Sequence, residues 1–422
     1  MPYQRCALTP GRRRAALLAV FTVMIAGCST SVRGTAVPAP PDAGRTSAAE
    51  PPGMVLRQQP GTGPAKTFGG TAIFDACTVL PFDVVRASGI ELETSEGPGP
   101  FMKTAHMTAD GQDDPNSRGS VADAGISRCE YPGSHGEALT FTIYQAPFDS
   151  PNSREEHEKS LRQGGREGQA AGFRTLSATT TELHTWTTGI FADNFYAILH
   201  LNARDPAQPE NPRLVRLVES AAERLHAAPT GPATYSYDGE FAHVPPPCEV
   251  FTSTDFQQAI GSSTDGRTVE QYDLAKKHIT ADAMSGTTGH TEHFYVTTGC
   301  TQENQAAANS GVGPTPAQSI TVTMENYLTS QMAAEANDYD CAIGKGYRHP
   351  VGEPKPVPFT SGDGLTCLIN MGSGRQSPLA FKSGRSTVEL NVFYARNLKD
   401  DATAIRVYSG IANAVAARLA DR

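Results

Sequence analysis

The chain has 422 residues with 35 basic and 44 acidic side chains, and its formal net charge is -9 at pH 7. This acidic balance argues against nucleic acid and anionic lipid headgroups as partners, because both attract basic surfaces that release their counterions. A chain of this length exceeds one typical hydrophobic core, so we expect two folded domains.

Residues 1–27 have the layout of a bacterial export signal. A basic region ending at Arg14 precedes the apolar run Ala15–Ala26, which is shorter than the roughly 20 apolar residues that span a bilayer. An aliphatic residue and two small residues then precede Cys28, which resembles the lipobox cut by the lipoprotein signal peptidase. We predict that Cys28 carries a diacylglycerol anchor holding the chain on the extracytoplasmic face of the cell membrane. An ordinary signal peptide with a chance cysteine is the alternative.

The segment that follows, residues 28–70, is rich in Pro, Gly, Ala, Ser and Thr and has no sustained apolar period. Such a segment cannot bury enough apolar surface to offset the entropy of ordering, so it is predicted to be a flexible tether. Cleavage before Cys28 removes four arginines and leaves 31 basic and 44 acidic residues, a net charge of -13.

Six cysteines follow the predicted anchor, and an even number indicates disulfides in an exported chain. In each of the first two pairs the cysteines are 52 residues apart, which marks a tandem repeat. The spacing therefore predicts three disulfides: Cys77–Cys129, Cys248–Cys300 and, by the remaining pair, Cys341–Cys367.

The first part of each copy contains a short helix and a strand. The helix follows the first cysteine and is predicted to end at Gly89 in the first copy and at Gly261 in the second. The strand alternates apolar and polar residues at Leu139–Ile143 and again, offset by 181 residues, at Ile320–Met324.

The second part of each copy contains a helix, further strands and a final amphipathic helix. Ser153 and Glu156 resemble a capping box at the start of the first helix, and Tyr327–Ala336 is its counterpart. The other predicted elements are strands at Leu183–Thr187, Phe195–Leu201, Leu365–Asn370 and Thr387–Tyr394, and helices at Leu214–Leu225 and Tyr408–Leu419. This order predicts an α+β fold of two similar domains, each an antiparallel or mixed sheet with helices packed on it as an α/β sandwich.

The domain boundaries follow from the repeat and from composition. The first α+β domain is predicted at residues 71–228 and the second at residues 244–422. The proline-rich stretch Pro229–Pro247 starts where the first domain ends, and it indicates a linker at residues 229–243.

These motifs resemble an actinobacterial lipoprotein family of unknown function (domain of unknown function 3558), best known from mycobacteria and nocardiae. The resemblance rests on Cys28–Ala36, on Phe74–Cys77 before the first helix, and on Arg128–Tyr131 around the second cysteine. It implies a tandem pair of compact α/β sandwiches, similar to other mycobacterial envelope lipoproteins and sensor-like ectodomains, and no established activity. In the second copy Pro247 replaces the family's Asp-x-Cys start, so the resemblance there rests on spacing and element order.

The sequence lacks the motifs of several common catalytic and cofactor sites. It has no Gly-x-Ser-x-Gly nucleophile elbow and no glycine-rich phosphate or dinucleotide loop. His290, Glu292 and His293 are candidate zinc ligands, but they lack the helical His-Glu-x-x-His spacing and are predicted to form a polar loop before a strand at Phe294. No metal, cofactor or catalytic residue is predicted.

Two further features are interpreted as structural. Trp186, the only tryptophan, is predicted to pack in a core rather than line a ligand pocket, and an offset of 181 matches it with Cys367. The acidic run Glu155–Glu158 contains His157, but consecutive helical residues do not face each other. We therefore predict a solvated surface there rather than an acid–base site.

We expect a non-catalytic binding or interaction module of the cell envelope, attached to the membrane through Cys28, with an envelope protein or a lipid as ligand and no nucleic-acid partner. An extracellular sensor or accessory subunit of a membrane signalling or transport system is the alternative. An envelope enzyme is the third class, and a convergent polar cluster with perturbed titration in a pocket would distinguish it.

Overall fold

The computed structural model describes residues 56–90, 92, 103–109, 125–132, 137–149, 151–180, 185–202, 212–261, 263–264, 266–273, 276–281, 290–304, 319–343, 355–369, 378–393 and 401–420. All of them belong to one compact unit, Pro51–Arg422. They combine α-helices with antiparallel sheet, which is the predicted α+β class. The predicted export signal and Cys28 lie outside the described residues.

The first half of the unit begins with strands from the predicted tether and ends with an amphipathic helix. Its described strands are β1 (Leu56–Gln59), β2 (Thr67–Phe68), β3 (Thr71–Ala72), β4 (Lys103–Ala109), β5 (Ser127–Pro132), β6 (Ala138–Gln145), β7 (Arg166–Ala170), β8 (Phe173–Thr180), β9 (Thr185–Phe191) and β10 (Phe195–Asn202). Its described helices are α1 (Ala76–Val79), α2 (Phe82–Ala87), α3 (Pro151–Arg162) and α4 (Pro212–Leu225). The Asp75 carboxylate caps α1 by accepting the Thr78 amide at 2.8 Å.

The second half follows a connecting strand, β11 (Thr234–Tyr237), and a short 3₁₀ helix (Gly239–Phe241). Its described elements are α5 (Pro247–Val250), α6 (Ser253–Ile260), β12 (Arg267–Asp273), β13 (Lys276–Ala281), β14 (His290–Glu303), β15 (Ser319–Tyr327), α7 (Ser330–Ile343), β16 (Lys355–Pro356), β17 (Thr366–Leu368), β18 (Leu379–Ser383), β19 (Ser386–Phe393) and α8 (Asp401–Ala420). The two predicted glycine stops are confirmed, since Gly89 follows α2 and Gly261 ends α6 with φ of 92° and 80°.

A 15-stranded antiparallel sheet runs through both halves. Its order is β16-β17-β18-β19-β15-β14-β12-β4-β5-β6-β10-β9-β8-β7, with β13 paired to β14 outside this path. Read outward from the centre, β4-β5-β6-β10-β9-β8-β7 and β12-β14-β15-β19-β18-β17-β16 have the same connectivity. The predicted duplication is therefore visible in the strand order. The equivalent strands β4 and β12 pair with each other and join the two halves in one sheet.

Helices cover both faces of the sheet. Successive strand residues point to opposite sides, so one strand contributes side chains to both helical layers. In the first half Phe141 and Ile143 of β6 pack with α4, whereas Tyr144 packs with α3. In the second half α8 and α7 take the same two places. The sheet therefore lies between two helical layers, one more layer than a two-layer sandwich.

The three predicted cysteine pairs are disulfide-bonded in the structure. Their S–S distances are 2.01 Å for Cys77–Cys129, 2.09 Å for Cys248–Cys300 and 2.11 Å for Cys341–Cys367. The first joins α1 to β5 and the second joins α5 to β14, so they occupy equivalent places in the two halves. The third joins α7 to β17 within the second half.

The predicted flexible tether and the predicted linker both contribute residues to the core. Within the predicted tether 28–70, Leu56 of β1 and Phe68 of β2 are buried. Within the predicted linker 229–243, β11 pairs with β1 and buries Tyr235. Both segments have only a few apolar residues in short strands, which give no sustained hydrophobic period. Their strands therefore could not be predicted from the sequence pattern.

The start of α3 differs from the predicted capping box. The helix begins at Pro151, which suits a first turn because proline lacks the amide hydrogen that would have no helical acceptor there. Ser153 is therefore inside the first turn, and its hydroxyl lies 3.1 Å from the Tyr196 hydroxyl rather than capping with Glu156.

Trp186 is buried in a core as predicted, but its match to Cys367 is wrong. Trp186 lies on β9 in the core that contains α4, whereas Cys367 lies on β17, which is equivalent to β8, and bonds to α7 on the opposite face. The offset of 181 relates β6 to β15 only. It becomes 191 at β10 and β19, where Leu199 and Leu390 lie opposite equivalent residues.

Candidate functional site

A row of side chains crosses the first half of the sheet beneath α3. Tyr144, Tyr196, Phe191 and Arg174 lie opposite one another on β6, β10, β9 and β8. The two tyrosine rings stack with centroids 4.4 Å apart and planes 2° apart, and Phe191 stacks on Tyr196 at 6.0 Å. We call these three rings the aromatic floor.

The helix above the aromatic floor brings arginines together around one carboxylate. Arg154, Glu158 and Arg162 are four residues apart and therefore share a stripe of α3. Arg154 Nε and Arg162 Nη2 lie 3.5 Å and 3.0 Å from the Glu158 carboxylate. Arg174 Nη2 reaches the same carboxylate from β8 at 2.8 Å. Three guanidinium groups from two elements thus converge on Glu158.

The electrostatics of Glu158 follow from this convergence. Its side chain is 16% exposed. Burial raises its pKa, but the hydrogen bond and charge of Arg174, with contributions from Arg154 and Arg162, outweigh burial and hold the pKa below its usual value. The predicted solvated surface therefore describes Glu155 and Glu156, which are exposed, and is wrong for Glu158.

Two of the arginines also stack on the aromatic floor. The guanidinium carbon of Arg174 is 4.8 Å from the Phe191 centroid, and that of Arg154 is 5.8 Å from Phe191 and 5.9 Å from Tyr196. A flat guanidinium can stack on a ring and still donate N–H groups in its own plane. The rings and the carboxylate therefore restrain both arginines from two directions.

An open groove of about 500 Å³ runs along this part of α3. The side chains that line it are polar or charged: Arg154, Glu155, Glu158, Lys159, Arg162 and Gln163. We call these residues, together with Arg174, the arginine groove.

His157 lies on the side of α3 that faces the sheet. Its ring is 5.3 Å from Tyr144 and 5.7 Å from Tyr196, and its Nδ1 donates to the Ser153 carbonyl oxygen at 2.8 Å. Burial raises the pKa of Tyr196 despite its hydrogen bond with Ser153, so the phenol stays protonated at neutral pH. The ring contacts of His157 with Tyr144 and Tyr196 pack it against the aromatic floor and help to hold α3 in place.

The second half has different chemistry at the equivalent places. Glu325, Thr387 and Lys382 form the corresponding row on β15, β19 and β18, where the first half has its aromatic floor. Glu325 accepts the Tyr327 hydroxyl at 2.8 Å and the Thr387 hydroxyl at 3.3 Å. Lys382 donates to Asp363 at 2.7 Å. The row is buried and its polar groups bond to neighbouring side chains.

Three polar side chains on the α3 face of the first half are linked by hydrogen bonds, and we call them the Thr187–His200–Asn202 chain. Thr187 Oγ1 is 2.9 Å from His200 Nδ1, and His200 Nε2 is 3.1 Å from Asn202 Oδ1. The amide oxygen only accepts, so Nε2 donates and Nδ1 accepts the threonine hydroxyl hydrogen. A histidine held this way is oriented to take a proton from a hydroxyl. The sequence concealed this chain because its members meet only through the register of β9 and β10.

The predicted lipid site, Cys28, lies outside the described residues. The candidate zinc ligands His290, Glu292 and His293 are not in a loop, because all three belong to β14 and pair with β13. In the described part of the chain, no group of three or more His, Cys, Asp or Glu residues is placed to hold a metal ion. Of the helices described, none is both long and apolar enough to cross a membrane.

No protein-family model, curated protein or solved structure matches this chain. The resemblance to the actinobacterial lipoprotein family therefore stays a prediction.

Proposed function

We propose that the protein is a membrane-anchored extracytoplasmic lipoprotein that acts as a non-catalytic binding module of the cell envelope, with the arginine groove as its binding site. The observation that best supports this binding site is the difference between the side chains at equivalent places in the two halves. They share one strand order, yet one half gathers three arginines around Glu158, two of them over stacked rings, and the other half has a buried Glu–Thr–Lys row. A scaffold that carries different side chains at equivalent places suits a binding module, because function depends on the site rather than the fold.

The proposed location rests on the lipobox at Cys28. The segment from Cys28 to Val55 spans at most about 95 Å when fully extended. It would keep the arginine groove near the membrane and raise its local concentration there, as tethers do. The three disulfides suit an oxidising compartment outside the cytoplasm. We also propose that each half is a domain of the actinobacterial lipoprotein family described above.

Site-specific photocrosslinking in living cells tests the proposed binding site. A photoreactive residue at Lys159 would lie in the arginine groove, and one at the exposed Gln257 of α6 is the matched control. We expect a discrete adduct with an envelope component from position 159 and none from position 257. Equal patterns at both positions would remove the arginine groove as the binding site.

A sensor or accessory subunit of a signalling or transport system is the alternative form of this function. It would use the same anchor and the same groove. The adduct itself distinguishes the two, because a sensor or accessory subunit is expected to crosslink to an integral membrane protein of that system. An adduct with a glycan, a lipid or a soluble envelope protein favours the simple binding module.

An envelope enzyme is a second candidate because of the Thr187–His200–Asn202 chain. In ester hydrolysis the Thr187 oxygen would attack the carbonyl carbon while His200 Nδ1 takes its proton and returns it to the departing alkoxide. Water would then release the acid and regenerate the hydroxyl. Nitrophenyl ester hydrolysis by the mature Cys28→Ser chain tests this. Turnover that is lost in Thr187→Val and retained in Thr185→Val would favour the enzyme, whereas no turnover supports the binding module.

A further inference from the structure

The arginine groove already has the form of an anion site, because a carboxylate of the protein occupies it. Glu158 Oε1 accepts from Arg154 and Arg174, and Oε2 accepts from Arg162. Each guanidinium carries five N–H donors, so one carboxylate uses only a small share of the donors gathered here. The donor geometry suits a larger oxyanion beside Glu158.

The local charge also differs from that of the whole protein. The groove and its rim contain the cations Arg154, Lys159, Arg162 and Arg174 and the anions Glu155, Glu158 and Glu167. Their balance is +1, on a protein whose net charge is -9. The nearest Glu167 oxygen is 3.6 Å from Arg174, and that glutamate is 65% exposed, so water weakens this ion pair. Repulsion among the guanidinium groups is therefore only partly offset within the site.

The fold itself does not require these arginines. The equivalent helix of the second half, α7, contains no arginine or lysine between Ser330 and Ile343. α7 nevertheless packs on the second half of the sheet as α3 packs on the first. The arginine cluster is thus a property of one site rather than of the scaffold.

We propose that the arginine groove binds the phosphoryl group of a phosphate ester, with Arg154 and Arg162, which line the groove, as donors and Arg174 holding Glu158 beside them. This inference rests on the binding function proposed above and names its ligand class. A phosphoryl group carries up to two charges and several terminal oxygens, so it can accept bidentate bonds from more than one guanidinium. Stacking on the aromatic floor restrains Arg154 and Arg174 before the ligand arrives, which lowers the entropy cost of binding.

The phosphoryl group has two possible sources at a membrane, a lipid headgroup and a soluble ester. The net negative charge of the protein opposes docking on a flat anionic membrane, and the open groove admits a single discrete group. We therefore expect a soluble phosphate ester. An experiment with both sources as separate arms decides between them.

Calorimetric titration of the mature Cys28→Ser chain at low salt uses glucose 1-phosphate and inorganic phosphate in one arm. Vesicles of phosphatidylglycerol and of phosphatidylcholine form the other arm. Arg162→Gln removes an arginine whose side chain is 60% exposed, so the fold should persist, and exposed Arg224→Gln on α4 is the matched control. We expect saturable binding of glucose 1-phosphate that weakens at least tenfold in Arg162→Gln, is unchanged in Arg224→Gln and falls as salt rises.

Glu158→Gln sharpens this test because it removes the resident anion. It should tighten phosphate binding several-fold, whereas an ion network with only a structural role gives no binding in any variant. Binding to phosphatidylglycerol vesicles alone would keep the phosphoryl chemistry and assign it to a headgroup. Absence of saturable binding in both arms overturns the phosphate inference. If position 159 still crosslinks in cells, the proposed binding function stands without this ligand class.

Discussion

Glu270 lies directly opposite His106 where β12 pairs with β4, and the two residues hold equivalent places in the two halves. His106 also lies opposite Cys129, as Glu270 lies opposite Cys300. Equivalent residues that face each other across an antiparallel pair define a two-fold axis, as in an isologous dimer. One polypeptide thus contains the geometry of a symmetric dimer of halves, and the pairing covers two strand edges that would otherwise template aggregation.

The pairing of β4 with β12 joins the two halves, and this joint predicts that they unfold together. β11 reinforces it, because the Tyr237 hydroxyl donates to the carbonyl oxygens of Asp273 at 2.6 Å and Thr297 at 3.3 Å. Tyr235 also stacks on Tyr272 from β12 at 4.6 Å. We expect a single cooperative transition in scanning calorimetry, with a calorimetric enthalpy equal to the van't Hoff enthalpy.

Tyr237→Phe tests the contribution of β11 to this joint. The variant loses its hydrogen bonds to buried carbonyl groups, so we expect about 1 to 3 kcal/mol less free energy of unfolding in urea. Ser236→Ala on the exposed side of the same strand is the control and should change stability by less than about 0.5 kcal/mol. Two well-separated transitions in the parent protein would show that the halves are energetically independent.

The sequence predicted the features that depend on local spacing. Equal cysteine separations led to the disulfides, and the glycines after α2 and α6 marked helix ends because only a left-handed residue fits there. Period-2 alternation located β6 and β15, since the alternate apolar residues of each strand face the same helical layer and lie in its core.

The features that the sequence did not reveal depend on partners that lie far apart in the chain. The pairing of β4 with β12 joins residues more than 150 positions apart, and neither strand has a distinctive pattern. Arg174 reaches Glu158 only through the register of β8 on β9, which also decides that Phe191 lies beneath it. The match of Trp186 with Cys367 was wrong because an insertion between β15 and β19 changes the offset, which a single local alignment cannot detect.

Removal of each disulfide is expected to destabilise the protein by a similar amount. Loops closed by sequence separations of 52, 52 and 26 residues restrict the unfolded chain, with contributions of about 4, 4 and 3.5 kcal/mol in the chain-entropy model. The measurement is urea unfolding of three double cysteine-to-alanine variants, one for each bridge. A loss at Cys77–Cys129 more than twice that at Cys248–Cys300 would contradict their equivalence.

Arg418 and Asp255 form an ion pair that fixes α8 against α6. Arg418 donates to both carboxylate oxygens, at 2.6 Å and 3.0 Å, and also to the Val250 carbonyl oxygen at 2.7 Å. Asp255 is buried, so Arg418→Met should leave a poorly paired buried charge and lower the free energy of unfolding by about 1.5 to 3 kcal/mol. Exposed Arg406→Met on the same helix should have little effect.

The same pair predicts a pH dependence. Burial raises the pKa of Asp255, but hydrogen bonds from Arg418 and from Thr252 outweigh it and set the pKa below the ordinary 3.8. A lowered folded-state pKa stabilises the protein above the unfolded value, and this contribution is lost as pH falls through the folded value. The stability difference between the parent and Arg418→Met should therefore be full at pH 6 and shrink below pH 3.8. A difference that is constant from pH 6 to pH 2 would exclude Asp255 as the titrating partner.

The proposed membrane location depends on one thiol, so Cys28→Ser tests it most directly. Cys28 alone follows an aliphatic residue and two small residues at the end of the apolar run, and its sulfur is the atom that would accept diacylglycerol. Each buried CH₂ of the acyl chains contributes about 0.8 kcal/mol, so two chains give stable attachment and their loss should release the protein. We expect Cys28→Ser to appear in the medium or to remain uncut, and to incorporate no labelled palmitate.

Ser29→Ala, which keeps the thiol, should fractionate with membranes and carry the label. Because the variant keeps all six disulfide cysteines, its fold should be unchanged, and a change in location then reports the anchor alone. A Cys28→Ser protein that still gains lipid and stays with the membrane would place the anchor elsewhere.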